Sequence, residues 1–266
     1  MRAIFATAFI LSAAIMPAAA QPAPSPEALK DLAPTGKLRA AINFGNGVLA
    51  QRGPNGELRG ITPDLAAALA KRLGVPLEFV TREAAGKVAE LLATDTVDIG
   101  FIAIEPVRAA QIEFSPPYVV IEGTYMVRQD SLLKDVGDVD KPGVRIGVGL
   151  NSVYDLYLTR TLKHAALVRN TVGGAAAGIE PFIKQNLDAA AGVRQPLDNY
   201  AKDHPEMRVM KGAFEEIRQA MGTPKIRGGA GAAYLKAFIE EMKASGFVAD
   251  ALKRSNQVAV VAPSAK

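Results

Sequence analysis

The stretch ITPDLAAALAKRLGVPLEFV, residues 61–80, predicts a helix that is followed directly by a strand. Thr62 can cap this helix, because its hydroxyl can accept a hydrogen bond from a free backbone N–H, and Pro63 suits the first helical position. Leucines then recur every four residues until Gly74, a residue type that commonly ends helices. Residues 77–80 predict a short strand. This stretch therefore contains one complete helix–strand unit.

The same alternation continues on both sides of this unit. Upstream, residues 37–42 predict a strand. Downstream, a helix at residues 87–93 precedes an almost wholly apolar strand at 97–102, as in a parallel sheet covered on both faces. The pattern restarts after residue 143, with strands at 144–148, 166–168 and 187–193, helices at 152–162 and 175–184, and closing helices at 234–243 and 248–253. Two successive βαβαβ runs predict an α/β protein with two similar lobes.

The first twenty residues have the features of a cleavable signal peptide. Arg2 supplies a positive charge, an apolar run extends from Ile4 to about Met16, and a small-residue segment ends at Ala20, after which we predict cleavage. The apolar run is too short to span a bilayer. Residues 21–35, rich in proline and alanine, predict a flexible leader. We therefore expect an exported protein.

The composition excludes several classes of function. The 266 residues include no cysteine, which rules out disulfides, a thiol nucleophile, a cysteine-bearing zinc site and lipid attachment at a cysteine. The net charge of +4 is mild, and no basic run interleaved with aromatic residues indicates nucleic-acid binding. Neither a Gly-x-Ser-x-Gly nor a His-Glu-x-x-His motif occurs. We expect neither a metal ion nor an organic cofactor.

A glycine-containing stretch, GVGLNS at residues 147–152, follows a predicted strand and opens a predicted helix. It is superficially similar to a dinucleotide-binding fingerprint, but the third glycine is missing. The favoured interpretation is an anion site, in which free N–H groups at the helix N-terminus and the side chains of Asn151 and Ser152 hold a negative group. The alternative, that Ser152 simply caps the helix, is equally open.

Several short stretches, taken in order, carry a family resemblance. They are TGKLR at residues 35–39, NGELRGITPDL at 55–65, VDI at 97–99, PVR at 106–108, FSPPY at 114–118 and KASG at 243–246. Together they resemble the polar-amino-acid class of extracellular solute-binding proteins, the soluble receptors of ABC importers. The resemblance covers residues 36–254, which is nearly the whole predicted mature chain.

The resemblance implies a type II periplasmic-binding-protein-like fold, with two βαβ lobes joined by two crossings. Lobe 1 would comprise residues 36–124 and 218–256, lobe 2 residues 125–217, and residues 257–266 a tail. A small carboxylate-bearing solute, an amino acid or a related organic acid, would bind between the lobes at the ends of strands, and hinge closure would bury it. The implied compartment is the periplasm, the implied partner is the membrane permease of an ABC importer, and the implied state is a monomer.

The resemblance also implies binding residues. Arg108 would hold the carboxylate of the ligand, since a guanidinium group can donate two parallel hydrogen bonds to it. The alternative is an ordinary surface arginine. Phe44 would form an aromatic wall or else pack in the core, and Asn43 and Asn46 would make polar contacts with the ligand.

One departure from the family pattern concerns the charge of the ligand. Amino-acid binders carry an acidic residue for the ligand's ammonium group, but this chain has Val193 there, with Arg194 beside it. An ammonium group buried without a counter-charge is costly, by several kcal/mol. Arg194 would instead favour a dicarboxylate or another anion, or it would lie solvated at the strand end. Glu105 could replace the missing acid from the opposite lobe.

Two other classes of function remain open. A few proteins of this architecture are periplasmic dehydratases of cyclohexadienyl acids such as arogenate. Such an enzyme needs a general acid or base in the cleft, and Glu105 is the one candidate. The chain could also be a soluble sensor that docks on a membrane receptor after binding its ligand. We expect a binding protein without catalytic residues.

Overall fold

The computed structural model describes residues 23–171 and 173–265. The predicted signal peptide and its cleavage site lie outside the described residues. Within the described ranges, no helix is both long and apolar enough to cross a membrane. The same ranges contain no group of three or more His, Cys, Asp or Glu side chains placed to hold a metal ion.

The first lobe is built around a parallel sheet that is covered by helices. Its elements are, in chain order, α1 (Pro26–Leu32), β1 (Leu38–Asn43), β2 (Gln51–Arg52), β3 (Leu58–Arg59), α2 (Ile61–Leu73), β4 (Leu77–Arg82), α3 (Ala85–Ala93), β5 (Ile99–Ala103) and β6 (Ile112–Phe114). The central strand β1 pairs in parallel with β4 on one side and β5 on the other. All five residues of β5 are buried, because α3 packs across this strand.

The second lobe repeats this plan. It follows the long strand β7 (Val119–Arg128) and contains β8 (Arg145–Gly149), α4 (Val153–Thr161), β9 (Ala166–Asn170), α5 (Ile179–Lys184), β10 (Ala189–Val193), α6 (Arg194–Asp203) and β11 (Met207–Val209). Strand β8 pairs in parallel with both β9 and β10. The helix predicted to begin at residue 175 begins at Ile179, because residues 175–178 form turns close to β8. A Cβ added at Gly178 would lie 2.3 Å from the Gly147 carbonyl oxygen.

Two long antiparallel strands join the lobes. The second of them, β12 (Glu215–Pro224), is followed by α7 (Gly229–Ala244), α8 (Phe247–Arg254) and β13 (Val260–Val261). Residues 119–123 of β7 pair with residues 215–219 of β12. Beyond this overlap β7 pairs with β10 in the second lobe, and β12 pairs with β5 in the first. The strand order is therefore β4-β1-β5-β12-β7-β10-β8-β9, which confirms the predicted two-lobed α/β fold.

The cap of α2 differs from the prediction. Gly60, with a φ of 111°, precedes the helix, and no side chain caps it. A Cβ at Gly60 would lie 2.6 Å from the Leu49 carbonyl oxygen. Thr62 lies inside the helix, and its hydroxyl donates to that same carbonyl at 3.3 Å. The predicted capping role of Thr62 is wrong, because a close backbone approach at residue 49 sets the helix start. Gly74 ends the helix in the left-handed conformation, as predicted.

Both ends of the described chain pack on the body of the protein. The leader predicted as flexible contains α1, which is capped by Ser25 and buries Ala28 and Leu32 against α7. The prediction of flexibility is wrong for residues 26–32, because their apolar face fits the first lobe. In the predicted tail, β13 pairs with β7 and Ala262 is buried.

A buried carboxylate holds the first lobe together. Asp98 is fully buried directly before β5 and accepts hydrogen bonds from the Arg39 backbone N–H at 2.6 Å and from the Arg39 guanidinium at 2.7 and 3.1 Å. The guanidinium of Arg227, which follows β12, forms a further ion pair with it. Asp98 thus ties β1 and β5 to the chain that returns from the second lobe.

Candidate functional site

A cavity of about 40 Å³ lies between the two lobes. Four parallel strands, β1, β5, β8 and β10, end at this cavity, and their last residues Asn43, Ala103, Gly149 and Val193 all line it. Parallel strands in α/β sheets carry their ligand sites at these carboxyl ends. The repeated sheet plan therefore places one candidate site where the two lobes face each other.

Arg108 lies in a short 3₁₀ turn after β5 and lines the cavity. Its side chain is only 6% exposed, so the alternative of an ordinary surface arginine is wrong. The guanidinium donates to the Ala103 carbonyl at 3.1 Å in its own lobe and to the Asn151 carbonyl at 2.9 Å in the other. Burial lowers the pKa of Arg108 to about 10, so the group remains a cation at neutral pH.

The N-terminus of α4 reaches the cavity from the second lobe. Ser152 caps the helix by accepting the Asp155 N–H at 3.0 Å, and it also lines the cavity. Asn151 takes a left-handed conformation with a φ of 58°, which asparagine tolerates better than most residues. Its N–H donates to the Asp155 carboxylate at 2.8 Å. Asn151 therefore positions the turn and meets Arg108 through its carbonyl, but it does not line the cavity.

The end of β1 and the loop after it each supply one amide to the site. Asn43 and Asn46 both line the cavity. Their Oδ1 atoms accept the N–H groups of Gly45 at 3.1 Å and Val48 at 3.2 Å, which fixes both side chains. Phe44 does not line the cavity. It packs against the hydrophobic core, and the Arg52 guanidinium lies 4.4 Å from its ring centroid.

Glu105 and Arg194 lie outside the cavity. Glu105 is almost fully buried, forms an ion pair with Arg160 of α4 and accepts the Val107 N–H at 2.9 Å. It therefore joins the two lobes and does not face the cavity. This position fits neither the predicted ammonium partner nor the predicted general acid. Arg194 forms an ion pair with Glu122 of β7 at the crossing strands.

Three residues that line the cavity, Tyr154, Gly174 and Gln219, were not predicted from the sequence. The Tyr154 hydroxyl donates to the Gly174 carbonyl at 2.8 Å, and both residues line the cavity. Tyr154 could have been found, because it lies two residues after the predicted cap Ser152. Gln219 lines the cavity from β12. No sequence signal identifies it, since its place depends on how the crossing strands pair.

Close backbone contacts show that the lobes are closed on each other. The Ala175 N–H donates to the Gly45 carbonyl across the cleft at 2.6 Å. A Cβ added at Gly173 would lie 2.4 Å from both the Ala84 Cβ and the Glu83 carbonyl oxygen, which belong to the opposite lobe. Glycine at this position therefore allows the lobes to approach this closely.

Glu215, at the start of β12, lies near the charged side chains that join the lobes, which are Glu105, Arg108 and Arg160. One of its carboxylate oxygens is buried without a hydrogen-bond partner among the described residues. Burial raises the pKa of Glu215 to about 7 and the negative charge of Glu105 adds to this, whereas Arg160 and Arg108 oppose it. Glu215 therefore changes its charge near neutral pH.

Because the pKa of Glu215 is higher in the folded protein than its ordinary value of 4.5, the folded protein retains a proton that the unfolded chain has released. Stability is therefore expected to fall as the pH rises from about 4.5 to about 7, and this loss is complete above pH 7. Glu215→Gln should remove this part of the dependence, and Glu216→Gln, an exposed neighbour, should retain it. Melting temperatures between pH 4 and 8 test this, and parallel profiles for wild type and Glu215→Gln would contradict it.

Two α/β lobes, a pair of crossing strands and a cavity at the strand ends define a two-lobed solute-binding protein of type II architecture. The amino-acid sequence then identifies the family. Residues 49–256 match the family model of the bacterial extracellular solute-binding proteins, family 3, and the chain belongs to this family. This confirms the predicted resemblance.

The chain is similar to several individual proteins. It is 32% identical over 143 residues to the octopine-binding periplasmic protein of Rhizobium meliloti, a match that covers 51% of this chain and 47%, about half, of that relative. A cysteine-binding protein from Campylobacter jejuni has a TM-score of 0.72 at 19% identity, over 88% of this chain and 99% of that one. A mutant of ArgBP from T. maritima has a TM-score of 0.71 at 19% identity, over 86% of this chain and 99% of that one. The two structural matches show a shared fold.

Proposed function

We propose that this chain is the periplasmic binding component of an ABC importer and that it captures a small carboxylate-bearing solute, an amino acid or a related organic acid. The observation that carries this proposal is the buried Arg108 guanidinium, which lies in a cavity between two closed lobes. A buried cation with unused N–H groups suits a carboxylate. The family and the octopine-binding relative support the class of protein.

The proposal includes how the lobes divide. Lobe 1 comprises residues 36–124 and 218–256, and lobe 2 comprises residues 125–217. The pairing of β7 and β12 supports these boundaries, because each strand changes partner close to Gly123 or Gln219. Rotation about these two strands opens and closes the cleft, and the closed form holds the ligand.

The proposal also covers the cellular setting. Residues 1–20 direct export and are removed after Ala20, and the mature protein acts as a monomer that delivers its ligand to the membrane permease. Mass spectrometry of the periplasmic fraction would detect a chain that begins at Gln21. Detection of the full-length chain in the cytoplasm alone would contradict this part.

A thermal-shift screen against amino acids, dicarboxylates and aromatic acids tests the binding function. A ligand at 100 times its dissociation constant should add about 2.7 kcal/mol to the stability. The absence of stabilisation by any acid in this panel would contradict the proposal. Catalytic consumption of prephenate or arogenate would instead favour the dehydratase alternative.

Gly173→Ala is expected to weaken ligand binding at least tenfold by blocking closure. The new methyl group would meet Glu83 and Ala84 of the opposite lobe, and no atom of its own lobe lies among its closest contacts. The melting temperature without ligand should therefore stay close to that of wild type. Gly137→Ala is a matched control, because a Cβ there has nothing within 4 Å. Calorimetric titration with the best acid from the screen measures the effect, and equal affinity in both variants would contradict closure.

A further inference from the structure

The polar side chains of the cavity offer a ligand more hydrogen-bond donors than acceptors. The Oδ1 atoms of Asn43 and Asn46 already accept backbone N–H groups. Each Oδ1 atom keeps one lone pair, whereas both N–H groups of each side-chain amide have no acceptor among the described residues. Gln219 can present either end of its amide, but a neutral amide oxygen does not balance a full positive charge. The first lobe consequently offers mainly N–H groups to whatever fills the cavity.

Charged and backbone groups strengthen this bias. Arg108 uses two of its five N–H groups on carbonyl oxygens and keeps the others. The first-turn N–H groups of Val153 and Tyr154 in α4 have no acceptor among the described residues, and the positive end of the helix dipole lies at the same place. All of these groups favour a negative, oxygen-rich ligand.

Acceptors for a cation are lacking on the same walls. Among the described residues, no aspartate or glutamate lines the cavity, and the side chain at the end of β10 is Val193. The carbonyl oxygens of Ala103 and Gly174 already accept hydrogen bonds from Arg108 and Tyr154. Glu105 is held by Arg160. An ammonium group in this cavity would lose its water without gaining a counter-charge, and it would lie close to the Arg108 cation.

We propose that the ligand is a small 2-oxo or 2-hydroxy carboxylate that carries an oxygen where an α-amino acid carries its ammonium group. This inference rests on the proposed function and narrows its ligand class. The oxygen accepts a hydrogen bond from the amides of Asn43 and Asn46, and the carboxylate binds Arg108 and the N-terminus of α4. The free volume of about 40 Å³ is small, which favours a short acid over a long one.

Matched ligands test this assignment. Calorimetric titration compares L-alanine with pyruvate and L-lactate, and glycine with glyoxylate and glycolate. The oxygen acids are expected to bind at least tenfold more tightly than the amino acid of the same size. The Val193→Asp variant places a carboxylate on the cavity wall and is expected to reverse this order. Val193→Asn is the matched control, since it is of similar size and polar without the charge, and it should not reverse the order.

The outcomes separate this inference from the proposed function. If L-alanine or glycine binds wild type as tightly as its oxygen counterpart, the inference is overturned and the proposed function stands. If neither these ligands nor any acid of the wider screen binds, the proposed function fails as well. Circular dichroism shows whether the Val193 variants fold. If these variants do not fold, the comparison of ligands on the wild-type protein still tests the inference.

Discussion

Arg108→Ala is expected to weaken binding of the best acid from the screen by about 100-fold, which corresponds to about 3 kcal/mol, the contribution of charge-assisted hydrogen bonds to a carboxylate. Arg108 is the only cationic side chain that lines the cavity among the described residues. Without it, the ligand carboxylate would leave water and gain only amide partners. Calorimetric titration measures the loss.

Two comparisons make the Arg108 result specific. Arg108→Lys keeps the charge but cannot donate two parallel hydrogen bonds, so its affinity should fall between wild type and Arg108→Ala. Arg194→Ala removes an arginine that pairs with Glu122 outside the cavity, and it should leave the affinity within a factor of about two. Unchanged affinity in Arg108→Ala, with its circular dichroism spectrum intact, would show that the ligand does not depend on this cation.

Asp98→Asn is expected to lower the free energy of unfolding by about 3 kcal/mol, because it leaves the guanidinium groups of Arg39 and Arg227 without their shared buried anion. The new NH₂ group would also face N–H donors. For a chain of this size the melting temperature should fall by about 10 °C. The substitution barely changes the side-chain volume, so the loss reports on charge and hydrogen bonding rather than on a cavity.

A surface carboxylate provides the control for Asp98. Glu90 pairs with Lys87 on an exposed face of α3 at 3.0 Å. Glu90→Gln should leave the melting temperature within about 1 °C, since exposed ion pairs contribute little. Similar melting temperatures for Asp98→Asn and Glu90→Gln would contradict the role given to the buried carboxylate.

Local sequence signals located much of the candidate site. The alternation of strands and helices predicts parallel sheets, and ligands bind at the carboxyl ends of such strands. Asn43, Arg108 and Ser152 follow predicted strands, and all three line the cavity. Their ligand contacts remain predictions.

Residues placed by long-range pairing were harder to predict. Phe44, Glu105 and Arg194 also lie near strand ends, but the side chain packed beside each one directs it elsewhere. Arg160 and Glu122 lie far along the chain from their partners Glu105 and Arg194, so no local pattern reveals these two ion pairs. Gln219 reaches the cavity only because β12 pairs with β5 and β7.

By itself, the sequence determined the α/β class, the two-lobed plan and the family, because the periodicity of apolar residues and short local motifs carry that information. The tertiary structure decided that Arg108 meets the second lobe at the Asn151 carbonyl and that the Asn43 and Asn46 side-chain oxygens accept backbone N–H groups. It also decided that Gly173 lies against Ala84. Each of these contacts either joins segments that are far apart in the sequence or lies in a turn whose geometry depends on packing. The hydrogen bonds that a side chain can offer a ligand are known only once its partners in the protein are in place.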